Sequence, residues 1–219
     1  KSIGVIGCGN VGRRLSKILE RLGMTVKRND PPLAEKEGSE NFVDLDEALS
    51  CDIVSFHVPL VRSGAYPTHH LLNKQRLEKI QAHQIIINTS RGEVIDNDAL
   101  LEKLRGEPDM PVVLDVWERE PEINLDLLKH VAIGTPHIAG YSADGKANGT
   151  EMIYQSLCKH LGLPVRQKAA QLMKEPALTK MAFSGQAERD WLVNRAIRAC
   201  YDVRSDHWRL RSVMSKSDN

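Results

Sequence analysis

The chain has no C-x-x-C pair, no long apolar run and almost no net charge, and each absence removes a class of protein. Four cysteines (Cys8, Cys51, Cys158, Cys200) stand far apart, which speaks against both a zinc site and a disulfide framework. Reduced thiols in a cytoplasmic protein without a resident metal are the expectation. No stretch of eighteen residues is continuously apolar, so no transmembrane helix is expected, and no basic-apolar-small secretory pattern opens the chain. A net charge of +1 over 219 residues gives no global pull toward nucleic acid or membrane. The charge is uneven, however: residues 151–219 carry twelve Lys and Arg against seven Asp and Glu. Without a nucleic-acid motif, that surplus reads as a solvated helical face or a subunit contact. Low-complexity segments and internal sequence repeats are also lacking. What remains, 41% hydrophobic and 27% charged residues, suits an ordinary globular chain of one large or two small domains.

The order of patterns predicts the fold class. "SIGVIG" is a short apolar run ending in glycine, and "CGNVGRRLSKILERLG" follows it with Val11, Leu15, Ile18 and Leu22 at helical spacing. Gly23 is placed to end that helix, and "MTVKRND" resumes a strand that runs out at Asp30. Further apolar runs occur in "DIVSFHVPL", "QIIINTSRG", "MPVVLDVWE" and "VAIGTPHIAG", with Asp96 a candidate N-cap after the second of these. Strands that read as unbroken Ile/Val runs, alternating with helices, predict a doubly wound parallel α/β sheet. Beyond it, Met152, Ile153, Leu157 and Leu161 predict a long helix over 142–161, closed by Gly162 and Pro164. A polar, proline-punctuated linker follows over about 164–187. A last helix is expected from Glu188, with Trp191, Leu192, Ala196, Ala199, Cys200 and Val203 on a buried side.

"GCGNVG" supplies Gly7, Gly9 and Gly12 in G-x-G-x-x-G spacing between a strand and a helix. The first glycine serves a tight turn, the second lets backbone approach a pyrophosphate, and the third lets helix and strand pack closely. The helix N-terminus offers unpaired N–H groups to the diphosphate. Asp30, eighteen positions after Gly12, can accept hydrogen bonds from adenosine ribose hydroxyls and would repel a 2′-phosphate, so the expected cofactor is NAD. Three polar residues stand at strand ends where open α/β sheets bind ligands: Arg91, Glu120 and His137. An arginine can clamp a carboxylate, a histidine can exchange a hydroxyl proton, and a carboxylate can orient that histidine. Taken singly, Arg91 also reads as a surface ion pair, Glu120 as part of a solvated acidic turn, and His137 as a loop cap.

In order and spacing, "GVIGCGNVG", "INTSRGEVID", "LDVWEREPE" and "TPHIAGY" resemble the D-isomer-specific 2-hydroxyacid dehydrogenases over residues 2–160. The resemblance implies a Rossmann-type NAD-binding domain over 1–141. Arg91 then matches the arginine that binds the substrate carboxylate, Glu120 the supporting glutamate and His137 the acid/base. It further implies cofactor contacts from Gly7, Gly9, Asn10, Val11, Gly12, Asp30, Val58, Thr89, Ser90, Arg91, Asp115 and Gly140. "NDPP", the insertion in "FHVPLVRSGAYPTHHLL", "GYSADGKANGT" and "YDVRSD" narrow the resemblance to a member acting on a small phosphorylated hydroxy acid. Val58 is a departure, since threonine is common there. Tyr141 would line the substrate cleft, and Lys146 is the candidate for the phosphate, ahead of Arg62 and Arg13; a surface lysine at a helix start is its alternative reading. Residues 142–164 would lead back to a substrate domain, and 165–219 would begin an α+β dimerisation domain of a homodimer. By the same resemblance the chain reads as a fragment with NAD binding better preserved than turnover. Two other readings stay open: a member of the family with another hydroxy acid as substrate, and a non-catalytic NAD-sensing interaction module.

Overall fold

Six strands form one parallel sheet in the computed structural model, which describes residues 1–215. The strands are β1 (Ser2–Ile6), β2 (Thr25–Asn29), β3 (Ile53–Phe56), β4 (Ile85–Asn88), β5 (Val112–Leu114) and β6 (Ile133–Gly134). Their order is β2-β1-β3-β4-β5-β6, so the chain winds outward from β1 in one direction and then, from β3, in the other. The helices are α1 (Asn10–Arg21), α2 (Pro31–Glu37), α3 (Leu45–Leu49), α4 (Lys74–Leu77), α5 (Asn97–Gly106), α6 (Leu125–His130), α7 (Ala143–His160), α8 (Arg189–Cys200) and α9 (Arg204–Met214). This is the expected doubly wound α/β sheet. Asp96 caps α5 by accepting the Ala99 N–H at 2.9 Å, and Gly23 ends α1 at φ +84°.

Close approach through small residues sets the layers around β1. A Cβ on Gly4 would lie 2.1 Å from the Ala48 carbonyl oxygen of α3, while one on Gly12 of α1 would lie 1.9 Å from the Gly7 carbonyl and 3.2 Å from Val5. Gly4 and Val5 are adjacent on a strand and face opposite sides, so α3 and α1 cover opposite faces. Two apolar clusters follow. One gathers Ile6, Phe56, Ile86, Leu100, Leu114 and Leu127 with their neighbours, and a smaller one gathers Ile3, Val5 and Cys8 with Leu19 and Met24. The helical spacing of Val11, Leu15, Ile18 and Leu22 correctly marks α1 but does not mark its buried side. Val11 and Ile18 are 63% and 55% exposed, whereas Gly12 and Ser16 are buried. A helix this near the sheet needs its smallest side chains underneath; Leu15 and Leu19 are half-buried, and Val11 and Ile18 are turned outward.

The chain divides into two compact units, 1–137 with 207–215, and 138–206. The second contains α7, capped by Ser142 at the Gly145 N–H, and α8. Met152, Ile153, Leu157 and Leu161 are all more than half exposed. None of the residues of α8 is buried, contrary to the pattern of its apolar side, and α8 stops at Cys200, before Val203. No strand forms among residues 138–206. The last four residues of the expected C-terminal segment, 216–219, lie outside the described residues. Among those described, no helix is long and apolar enough to cross a membrane.

α8 is not the last helix: α9 follows it and, from His207 onward, belongs to the first unit. Leu210 and Met214 pack against the larger apolar cluster, and two further anchors are polar. The Gly134 N–H of β6 donates to Nδ1 of the buried His207 at 3.0 Å. Arg211 donates to the carbonyls of Leu128, Lys129 and Val131 at 2.8, 3.2 and 3.0 Å, closing the C-terminal end of α6. Arg211→Met keeps the aliphatic stem but removes these bonds, and is expected to lower stability by about 1–3 kcal/mol in urea unfolding. Burial, with the nearby Arg211 charge, lowers the pKa of His207 below the ordinary histidine value. The unfolded chain therefore takes up this proton first. The His207 contribution is complete above the unfolded value of about 6.5 and is lost as pH falls below it toward the folded value. Unfolding free energies of wild type and His207→Gln measured between pH 8 and 5 are expected to converge on acidification.

Candidate active site

The carboxyl ends of β1 and β3, where the winding direction reverses, form a cleft of about 550 Å³ lined by Gly7, Gly9, Asp30, Pro31, His57 and Val58. Gly7 sits at φ +90°, and a Cβ there would lie 2.7 Å from the His57 backbone. At Gly9, by contrast, no atom lies within 4 Å of the would-be Cβ. Two glycines thus close the turn and the middle one leaves its backbone open. The N-terminal amides of α1, with Asn10 and Val11 exposed at its start, receive no side-chain cap. This cradle fits a dinucleotide diphosphate in size, openness and polarity.

Asp30 stands beside it, fixed at both oxygens. Oδ2 accepts the Cys8 N–H at 2.7 Å and Oδ1 accepts the Leu33 N–H at 3.1 Å, so the residue tethers the glycine turn and caps α2 together. A carboxylate has further lone-pair directions for ribose hydroxyls. Cys8 is chemically quiet: burial, then the Asp30 charge, push its thiol up to about 11. Val58 packs against the larger core cluster as well as lining the cleft. His57, which the sequence did not single out, lines the same wall. Burial lowers its pKa, and its Nε2 lies 2.9 Å from the Ser55 hydroxyl, so a neutral ring is held there.

Arg91, Glu120 and His137 follow the neighbouring strands β4, β5 and β6, and backbone bonds extend the ladder past the strand ends toward them. The Asp115 N–H donates to the Asn88 carbonyl at 3.0 Å, and the His137 N–H donates to the Asp115 carbonyl at 2.7 Å. The turn carrying Arg91 is shaped by buried Asn88: its Oδ1 accepts the Ser90 N–H and hydroxyl, and its Nδ2 donates to the Arg91 carbonyl at 2.9 Å. Ser90 is thereby buried, and half-buried Thr89 precedes it. Arg91 is exposed, and its guanidinium donates to the Ser90 carbonyl at 2.6 Å. Gly92 lets this turn meet the next one, since a Cβ there would fall 2.0 Å from the Trp117 carbonyl.

Glu120 and His137 touch directly. Glu120 Oε1 accepts the Trp117 N–H at 2.8 Å, which leaves Oε2 at 2.7 Å from His137 Nδ1. A carboxylate can only accept, so the neutral imidazole carries its proton on Nδ1 and presents a bare Nε2 lone pair. His137 holds a left-handed backbone at φ +55°, unusual for a side chain with a Cβ. The turn behind it is fixed by Trp117 Nε1 donating to the Thr135 carbonyl at 3.0 Å and by the Thr135 hydroxyl donating to buried Asp115 at 2.5 Å. Asn88, Trp117 and Thr135 were missed at the sequence level. The one available signal was a polar residue closing each apolar run.

Gly140, Tyr141 and Lys146 belong to the second unit. There Lys146 Nζ sits 3.4 Å above the Tyr141 ring centre, both side chains exposed. Gly140 has open space around its would-be Cβ. Arg62 is ion-paired with Glu93 at 2.6 Å and Arg13 with Glu37 at 2.9 Å. Among the described residues, no group of three His, Cys, Asp or Glu is placed to hold a metal.

Comparison with known proteins bears on this site. A family model described as the NAD binding domain of D-isomer specific 2-hydroxyacid dehydrogenases matches residues 1–139. The erythronate-4-phosphate dehydrogenase of Marinobacter nauticus is 54% identical over 97% of this chain and 56% of its own length. That of Hahella chejuensis is 49% identical over 98% of this chain and 56% of its own. The chain thus spans little more than half the length of these relatives. Among solved structures, a D-lactate dehydrogenase from Aquifex aeolicus complexed with NAD and lactic acid is 29% identical with a TM-score of 0.58, covering 74% of this chain and 54% of that one. A D-lactate dehydrogenase with NAD+ from Lactobacillus jensenii gives 27% and 0.61 over 75% and 54%. A dinucleotide cradle at the switch point, an ordered sequence of strand-end motifs and a family model spanning more than half of the chain agree: this chain belongs to the D-isomer specific 2-hydroxyacid dehydrogenases, with their NAD-binding domain at residues 1–139.

Proposed function

We propose that the chain is the cofactor-binding part of an NAD-dependent dehydrogenase. It oxidises 4-phospho-D-erythronate at C2 to 3-hydroxy-2-oxo-4-phosphooxybutanoate, a step toward pyridoxal 5′-phosphate. The observation that carries the chemistry is the His137–Glu120 pair at 2.7 Å, which joins the segments after β6 and β5, the latter next to β4 and the turn that bears Arg91. The substrate is inferred from the named relatives, 54% and 49% identical over nearly the whole chain.

When bound, NAD supplies the hydride acceptor at its nicotinamide ring. Gly7, Gly9, Gly12 and the start of α1, with Asn10 and Val11, hold the diphosphate. Asp30 accepts from the adenosine ribose and disfavours a 2′-phosphate. Val58, Thr89, Ser90 and Asp115 are the further cofactor contacts of the first unit on this reading, Asp115 toward the nicotinamide; Gly140, in the second unit, is assigned to the cofactor by the family pattern alone. His137 Nε2 takes the C2 hydroxyl proton while the C2 hydrogen leaves with its electron pair, so the C–O bond becomes a carbonyl. Glu120 holds the proton on Nδ1 beforehand and stabilises the imidazolium afterwards. Arg91 swings from the Ser90 carbonyl to clamp the substrate carboxylate and favours negative charge on the reacting oxygen. Tyr141 and Lys146 serve the substrate side, Lys146 toward the phosphate. The exposed apolar row of α7 supports the reading of 142–164 as the link to a substrate domain. Residues from 165 then begin a dimerisation domain, and the working enzyme is a cytoplasmic homodimer.

His137→Asn is expected to lower kcat of the full gene product by roughly 10²–10⁴-fold while NADH binding to this chain, followed by fluorescence, stays unchanged. An unchanged rate removes His137 from the chemistry. Asp30→Ala is expected to weaken NADH binding by about ten- to a hundredfold and to narrow the preference for NADH over NADPH, as titration of both would show. Initial rates of NADH formation with 4-phosphoerythronate and with 3-phosphoglycerate test the substrate, and a preference for the latter overturns it.

A further inference from the structure

Three residues other than glycine adopt the left-handed backbone region among the described residues: His70 at φ +47°, Arg119 at φ +61° and His137 at φ +55°. Such a conformation costs on the order of 1–3 kcal/mol at a residue with a Cβ, and it persists where surrounding bonds over-determine it. All three lie on one chain of contacts. His137 Nδ1 meets Glu120 Oε2 at 2.7 Å, Arg119 separates Glu120 from Glu118, and Glu118 Oε1 meets His70 Nε2 at 2.7 Å. In extended backbone, side chains two apart face the same way. The left-handed residue between these glutamates turns the chain so that each carboxylate reaches its own histidine.

The second pair is the better anchored. The Glu118 side chain is only 15% exposed, and its backbone N–H donates to Asn97 Oδ1 at 3.1 Å, at the start of α5. The His70 N–H donates to the Glu93 carbonyl at 2.7 Å, its Nδ1 lies 3.7 Å from Asp96, and its ring stacks on His69 with centroids 4.1 Å apart. His69 and His70 also line the dinucleotide cleft. The Glu118–Glu120 turn is therefore pinned from the cofactor wall on one side and left with an exposed working pair on the other.

We propose that His70 and Glu118 are positioning residues: their pair fixes the turn so that Glu120 holds His137 in the tautomer with the proton on Nδ1. The importance of that tautomer for turnover rests on the reading of His137 as acid/base, but the tautomer itself is measurable without turnover. The test is a long-range ¹H–¹⁵N correlation of histidine rings in the 219-residue chain, at a pH where the imidazoles are neutral. Wild-type His137 is expected as the Nδ1–H form. Glu118→Ala and His70→Ala, which attack the pair from opposite ends, are each expected to lose that preference. Glu118→Gln, which retains an acceptor, and His70→Gln, which retains a donor, are expected to keep it. A cooperative thermal transition identifies the variants that fold, and either alanine variant alone suffices for the comparison. If both alanine variants keep the wild-type His137 signature while Glu120→Ala loses it, the positioning role is overturned and the His137–Glu120 reading stands. If Glu120→Ala also leaves the signature unchanged, both fall.

Discussion

The hydrogen-bond ladder that continues past the ends of β4, β5 and β6 is the constraint on which the site depends. Parallel strands present all their carboxyl ends at one edge, and the bonds from Asp115 to Asn88 and from His137 to Asp115 carry that alignment into the loops. Residues separated by dozens of positions in sequence are thereby brought onto neighbouring turns. Polar side chains at those ends then hold the turns themselves: Asn88 shapes the one bearing Arg91, and Thr135 bonds to Asp115 beneath His137. Each is buried and satisfied, as a polar group in such a place must be.

Steric intolerance does comparable work around the cofactor cleft. Gly7, Gly12 and Gly92 each sit where a single methyl would collide with backbone, and each collision marks a place where two turns or a helix and a strand must meet. Gly9 is different, because nothing opposes it. The same motif thus contains glycines needed for packing and one needed for access. Asp30 adds a tether between the glycine turn and α2, so its carboxylate is held in place before any ribose approaches.

The fold was legible because buried parallel strands leave unbroken Ile and Val runs, and because caps such as Asp96 and Gly23 act locally. The buried face of α1 was not legible, since Val11 and Ile18 point outward and Leu15 is half-buried, while Gly12 and Ser16 lie underneath. α9 escaped for a related reason: Leu210 and Met214 pack on the core, but His207 and Arg211 share the docking and act through hydrogen bonds, which leave no apolar periodicity. In α8 the apolar pattern was present and its burial was not. Arg91, Glu120 and His137 could be picked out as polar residues at strand ends, whereas His70 and Glu118 sit in a turn and a loop with no distinguishing spacing.

By itself the sequence determined the alternation of strands and helices, the glycine turn with its acidic partner, and the kinship with one dehydrogenase family. These are properties of local patterns, repeated along the chain at fixed spacing. Only the tertiary structure decided which nitrogen of His137 faces outward, because that follows from a carboxylate seventeen residues away in sequence and 2.7 Å away in space. It also decided that two histidine–glutamate pairs share one turn, since the direction of a side chain after a left-handed residue depends on what that chain end is packed against.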